Sequence, residues 1–365
     1  MNEDRDERPA GAEPRPSVQR TANVPTLKPW ILPTGNAFIK DPAKRHQRPA
    51  GNPGGDVPYV REDFDDRSWR HVDLPHDWGI EGPFLETGPH GGMGRLPSWG
   101  VGWYRKTLHI APGGAGRSIF LDVDGAMSYA TVWLNGQIAG GWPYGYSSWR
   151  VDLTPYIRHG GANLLAIRVD NPPGSSRWYP GGGIYRNVWL TRTHALHVSR
   201  WGTFVRTRNV SSSSATIDLD VTIDNDSPRS ETVDVATDIY AVDAGGASTG
   251  AAVASIAPVE VTIAARSNAT LAGSVTMADP RLWGPPPNQR PNRYVAVTTV
   301  LHRGRTVDRY ETRFGIRDLR IDPDRGIFVN GRAGRHQRRQ SAPRPWRARR
   351  GIQHARGRAA ARDPA

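Results

Sequence analysis

Cysteine is absent from all 365 residues. That excludes a disulfide framework, thiol catalysis and Cys-ligated zinc or iron–sulfur sites. Lysine is scarce as well: the basic residues comprise only 4 Lys against 44 Arg, a bias that points to GC-rich coding DNA. No apolar run approaches the roughly 18 residues of a membrane span, so no membrane partner is expected. The stretch from Met1 to Arg8 mixes acids and arginines without an apolar core. No secretory leader is read from it, and a soluble cytoplasmic protein is the expectation. There is no P-loop, no dinucleotide-binding Gly pattern and no His-Glu-x-x-His motif. Neither a cofactor nor a metal is therefore expected.

The net charge of +13 invites a nucleic-acid reading. Its distribution argues otherwise. Residues 333–365 hold ten Arg and one Asp, which leaves only +4 for the rest of the chain. Such a tail could bind nucleic acid by releasing counterions. It carries a single aromatic, Trp346, and no platform on which bases could stack. No nucleic-acid partner is expected.

What the chain does have is strand periodicity. Residues 1–25, rich in Pro and charge, read as disordered. From about residue 55 to 200 the pattern is short strands with turn punctuation. Ile119, Leu121 and Val123 share one face at period two, and Thr131–Leu134 runs into the hairpin signal Asn135-Gly136. Leu165, Ile167 and Val169 alternate next, and Ile184 to Leu190 supplies a further strand. With no long helical period between them, these strands read as an antiparallel sandwich or jelly roll. The block from about 200 to 315 is richer in Ser, Thr, Val and Ala. Ile217, Leu219, Val221 and Ile223 alternate strictly, followed by Val233 and Val235, by Val259, Val261 and Ile263, and by Val295 and Val297. About seven such strands indicate an immunoglobulin-like sandwich. Residues 316–332 read as two strands around Asp322-Pro323-Asp324-Arg325-Gly326.

Five strings then occur in order: Leu74-Pro75-His76-Asp77-Trp78; Gly102-Trp103-Tyr104-Arg105; Val132-Trp133-Leu134-Asn135-Gly136; Arg177-Trp178-Tyr179-Pro180-Gly181-Gly182-Gly183-Ile184-Tyr185-Arg186; and Arg313-Phe314-Gly315-Ile316-Arg317 with Gly326-Ile327-Phe328-Val329-Asn330-Gly331. Together they resemble the amino-terminal half of glycoside hydrolase family 2, the β-galactosidase/β-glucuronidase family. The resemblance covers roughly residues 55–332. It implies an all-β chain: a sugar-binding jelly roll over 26–198, an immunoglobulin-like β-sandwich over 199–315, and at 316–332 the start of a (β/α)8 barrel. The catalytic barrel itself is missing from this chain. Retaining members use two barrel carboxylates about 5–5.5 Å apart, as acid and nucleophile. Neither lies in this chain if the resemblance holds, so no catalytic residue is assigned. The resemblance implies a β-galactoside-like carbohydrate partner and, for a full-length form, a possible homo-oligomer. The competing reading is a non-catalytic carbohydrate-binding or assembly module.

Beyond Arg332 the apolar period stops. The Trp346 codon, TGG, followed by an arginine codon, yields Gly when read one base later. Permitted codons for 337–361 can then give a run containing His-His-Asp that resembles the family's entry into its barrel. A one-base frameshift near Arg332 is the expectation; a genuine basic arm is the alternative.

For sugar binding we single out Asn171, Arg177, Trp178 and Tyr179. They flank or lie in a Pro/Gly loop, and loops on rigid sandwiches carry binding groups. The bland reading of the same four is interface packing. No acidic pair in that loop supports a metal. Trp133 and Trp189 lie inside strand patterns and read as structural. His76 and Asp77 could form a catalytic pair, but a turn in which Asp77 accepts backbone N–H groups is the stronger reading. His90-Gly91-Gly92 lacks an accompanying nucleophile elbow, and Glu81 and Glu86 are poor candidates for a retaining pair.

Overall fold

A computed structural model describes residues 41, 43, 51–81, 99–114, 116–172 and 181–333. The readings placed on 1–25, on the tail from residue 334, on Glu86 and His90, and on Arg177, Trp178 and Tyr179 lie outside these residues. Among the described residues there is no α-helix, and every strand pair is antiparallel.

The first sandwich packs a four-stranded sheet on a three-stranded one. The larger sheet has the order β1 (Gly100–Ile110), β6 (Gly161–Asn171), β3 (Ala130–Leu134), β4 (Gln137–Trp142). The smaller places β2 (Arg117–Val123) between β5 (Trp149–Asp152) and β7 (Val188–His194). Ile119, Leu121, Val123, Val132, Leu134, Trp149, Leu165, Ile167 and Val169 meet in its core, each fully buried aliphatic side chain contributing about 1.5–3 kcal/mol. Asn135 and Gly136 both have positive φ (51° and 77°), the conformation of a two-residue hairpin turn whose twist matches its strands.

Two expectations for this domain need correction. Residues 51–81 contain no strand but turns and a 3-10 segment, Pro58–Val60, so among the described residues regular strands start at Gly100. This strap is held by Arg105, which bonds Asp66 at 2.8 Å and the carbonyls of Tyr59, Arg61 and Phe64. It covers Trp133, whose indole donates to Pro53 O at 3.1 Å, so Trp133 is structural. The strand expected from Ile184 begins instead at Val188. Residues 182–187 are engaged elsewhere: Gly183 bridges Met127, and Arg186 and Asn187 bond Gly125 and Asp124.

The second sandwich has seven strands, as the periodicity indicates. One sheet is β12 (Ser267–Ala278), β9 (Ser214–Asn225), β8 (Leu196–Arg208); the other is β11 (Ser248–Ile263), β10 (Glu231–Val242), β13 (Arg293–His302), β14 (Arg305–Phe314). Ile217, Leu219, Val221 and Ile223 of β9 all face its core. Val295 and Val297 do not. They point to the outer face, beneath Tyr240 and Val242, while Tyr294, Ala296 and Val300 take the core positions. Both faces of β13 are buried, which removes the alternation that would have told them apart. Val259, on edge strand β11, stays exposed.

The hairpin expected at 316–332 is present as β15 (Leu319–Asp322) and β16 (Gly326–Val329), followed by β17 (Arg332–Ala333). It hangs from the loop before β13: Asn330 Nδ2 donates to Trp283 O, and Gln289 Nε2 donates to Val329 O.

Candidate functional site

At one end of the jelly roll, β6 finishes at Asn171 and the described chain resumes at Gly181. Asn171 is fully buried, and its side-chain amide donates to Gly181 O at 2.7 Å. The two stems of the intervening loop are thereby tied together. The returning stem is then stitched to the segment preceding β1. His76 N donates to Ile184 O at 2.8 Å, and Trp78 N to Gly182 O at 2.9 Å. Asp77 Oδ1 accepts both Gly79 N (2.9 Å) and Gly182 N (2.8 Å). Asp77 is thus occupied by backbone N–H groups, as the turn reading holds, with Gly182 a partner that the sequence did not announce.

Glycine is required at the centre of this junction. Gly183 has φ 108°, and a β-carbon there would collide with Tyr104 Oη and the His76 carbonyl. Only a residue without a β-carbon lets the two backbones come this close.

Beneath the junction lies a polar cluster. His76 Nδ1 is 2.8 Å from Tyr104 Oη, and its Nε2 is 3.1 Å from Glu81 Oε1. An Arg70 guanidinium nitrogen lies 2.8 Å from the same Nε2 and donates to Glu81 Oε2 at 2.7 Å. Burial pushes the Tyr104 phenol up to about 12, so it remains a neutral hydroxyl at neutral pH. Burial pushes Glu81 upward, but the Arg70 hydrogen bond and the nearby His76 and Arg70 charges outweigh it, leaving the carboxyl below its ordinary range. An ionised, ion-paired Glu81 is a poor proton donor. The cluster is built to hold loops in place.

A second cluster sits on the outer face of the β5–β2–β7 sheet. Asp122 receives both nitrogens of the Arg150 fork (2.8 and 2.9 Å), Thr191 Oγ1 (2.6 Å) and Arg200 Nε (3.1 Å). Register puts Trp189 directly opposite Asp122. Its indole donates to Asp124 Oδ2 at 3.1 Å, and its side of the sheet is open, leaving it 51% exposed. The structural reading of Trp189 is therefore corrected. A strand residue follows period two whether its face is covered or not, and this face is only partly covered by the second sandwich.

Of the four expected sugar-binding residues, the structure places Asn171 at the loop base, where it braces backbone. Arg177, Trp178 and Tyr179 belong to the undescribed loop it closes. Tyr104, Arg70 and the Asp122 network were missed. The only advance signal was Tyr104 within Gly102-Trp103-Tyr104-Arg105, and the Arg–Asp pairs depend on strand register. Among the described residues no group of three His, Asp or Glu is arranged to hold a metal, and no helix is long and apolar enough to cross a membrane.

Comparison with known proteins agrees with this architecture. Residues 71–178 match the sequence model for the glycosyl hydrolase 2 galactose-binding domain-like family, and 196–317 match that for glycosyl hydrolases family 2. The chain is 41% identical over 271 residues to the β-galactosidase BoGH2A of Bacteroides ovatus, covering 74% of this chain and 31% of that protein. It is 26% identical to a β-glucuronidase of Bacteroides fragilis, covering 72% of this chain and 37% of that one. Among solved structures, a family 2 member from Bacteroides cellulosilyticus superposes with a TM-score of 0.68 at 29% identity, over 76% of this chain and 35% of that chain. The Bacteroides uniformis β-glucuronidase gives 0.63 at 27%, over 76% and 32% respectively. The chain thus spans about a third of the length of the relatives it matches. Through both of its sandwiches, the chain is a homologue of the family 2 glycosyl hydrolases.

Proposed function

We propose that this chain is the carbohydrate-binding amino-terminal part of a β-galactosidase-type retaining glycosidase, and that it does not hydrolyse glycosides by itself. The observation that carries the reading is the 41% identity to a protein named a β-galactosidase, spread across both sandwiches. The described residues supply only antiparallel sandwiches and a short hairpin. A retaining mechanism needs an acid and a nucleophile about 5–5.5 Å apart across a glycosidic bond. The carboxylates at the jelly-roll end have other duties: Asp77 holds backbone, and Glu81 is paired with Arg70. On this reading Asn171 shapes the sugar-facing loop, and Arg177, Trp178 and Tyr179 contact the ligand. Residues 333–365 are then the product of a shifted reading frame, as their ten arginines and the sense of the neighbouring frame support.

Incubating the purified 365-residue chain with a chromogenic β-galactoside tests the first claim. No release of chromophore is expected, while saturable binding of galactosides is. Turnover would overturn the reading of an inactive part. Resequencing the gene from the Asp322 codon to about 200 bases past Ala365 tests the frame: an intact basic tail in the template, with no barrel-coding frame beside it, would overturn the shift.

A further inference from the structure

We propose that His194, at the one-residue link between the two sandwiches, is a pH-sensitive latch: neutral, it fixes the bend from β7 into β8, and its protonation loosens the second sandwich from the first. The inference is independent of the carbohydrate reading, since both sides of the contact belong to this chain.

Only Ala195 separates the end of β7 from the start of β8. The placement of one sandwich on the other is therefore decided over a single bend. Leu196 N donates to His194 Nδ1 at 3.1 Å. A ring nitrogen accepts a hydrogen bond only while it carries no proton, so this bond belongs to the neutral imidazole with its proton on Nε2. The far side of the link is held by the second sandwich: Asp226 N donates to Ala195 O at 2.8 Å, and Leu196 is buried in that sandwich's core. Protonating Nδ1 turns the acceptor into a donor aimed at the Leu196 N–H, and the bend loses its tie to β7.

The surroundings oppose a positive charge there. Arg117 of β2 is the register partner of His194. From the second sandwich, the His302 ring at the end of β13 lies 6.3 Å away, centroid to centroid. The acids of the junction are engaged elsewhere. Glu231 on β10 meets His302 at 3.0 Å and Arg303 at 3.6 Å. Asp224 accepts from Ser199 Oγ and Asp226 from Ser118 Oγ, and the two carboxylates flank the buried His197 ring of β8 at 3.8 and 3.9 Å. Among the described residues no carboxylate is ion-paired with His194.

Burial, followed by the charges of His302 and Arg117, holds the His194 imidazole below its ordinary 6.5. A histidine depressed in this way stabilises the folded contact fully above its unfolded value. That contribution shrinks as pH falls below about 6.5, where the unfolded chain takes up the proton that the folded one resists.

Differential scanning calorimetry of the 365-residue chain at pH 8 and pH 5.5 tests the latch. Coupled sandwiches unfold together, with a ratio of calorimetric to van't Hoff enthalpy of about 1, and independent ones bring the ratio to about 2. The ratio should rise from the first value toward the second on acidification. H194N keeps an acceptor for Leu196 N and cannot titrate, so its ratio should stay near the lower value at both pH values. H302Q removes the facing charge and should give a smaller rise than the parent. A parent ratio that does not change between the two pH values overturns the proposal, as does an H194N variant that rises like the parent. Should circular dichroism show H194N unfolded, histidine NMR titrations of the parent and H302Q decide. One imidazole should titrate below 6.5 in the parent and closer to 6.5 in H302Q; the absence of any such imidazole makes the proposal wrong.

Discussion

In the second sandwich, β9 buries Ile217, Leu219, Val221 and Ile223 and turns Asp218, Asp220 and Thr222 outward, where Arg208, Arg206 and Thr270 meet them. In the first, β2 buries both of its faces: Ile119, Leu121 and Val123 inward, and Ser118, Phe120 and Asp122 outward. The outward set joins the two domains. Ser118 Oγ donates to Asp226, the Phe120 ring lies beside the buried His197, and Asp122 binds Arg200. The second domain thus resembles a self-sufficient sandwich with a solvated outer ladder. The first commits its outer face and one loop end to specific polar contacts. Stability in the second domain comes mainly from area. In the first, much of it is positional.

Substitutions should separate the two domains by mechanism. The largest effect is expected for Trp133→Ala, which empties a fully buried site and strands the Pro53 carbonyl. About 4 kcal/mol should be lost in urea unfolding, with the first sandwich melting before the second. Asp122→Ala removes the buried carboxylate that both Arg150 and Arg200 bond. A loss of about 3 kcal/mol is expected, together with looser coupling of the domains, visible as two resolved calorimetric transitions.

The same carboxylate gives a pH signature. Burial raises the Asp122 value, but the Arg150 and Thr191 hydrogen bonds and both guanidinium charges outweigh it, leaving it below the ordinary 3.8. A depressed carboxyl stabilises the fold fully above its unfolded value, and that contribution is lost as pH falls through the folded one. Acid titration should show a loss below about pH 4 that Asp122→Asn lacks. Asp77→Ala removes two hydrogen bonds to backbone N–H groups and should cost about 2 kcal/mol. It should also weaken galactoside binding without moving the second sandwich's transition, since the damage is confined to the loop stems. Smallest is Thr222→Ala, on the solvated ladder of β9, expected within about 0.5 kcal/mol of the parent. An effect there as large as that of Asp77→Ala would abolish the distinction between the domains.

Strand identity was legible where one face meets water. The β9 alternation and the Asn135-Gly136 turn were readable because period and turn chemistry are local properties. The reading failed where both faces are buried or neither is. On β13, Val295 and Val297 carry the same signal as core residues while lying on the outside. Trp189 keeps strand period on an open face. Residues 51–81, bounded by Pro and Gly, form a strap because Arg105 gathers their carbonyls. Local pattern carries no trace of that long-range contact.

At the candidate site the division is the same. Composition and motif order sufficed for an all-β chain of two sandwiches. Strand pairing and domain packing alone decided that Asn171 braces Gly181, that Asp77 reaches Gly182, and that Asp122 gathers two arginines beside an exposed Trp189. Residues 105 positions apart in the chain, as Asp77 and Gly182 are, become neighbours only when burial of the apolar faces fixes the register. The apolar period is written along the chain; which polar groups it brings together is settled by how the sheets close.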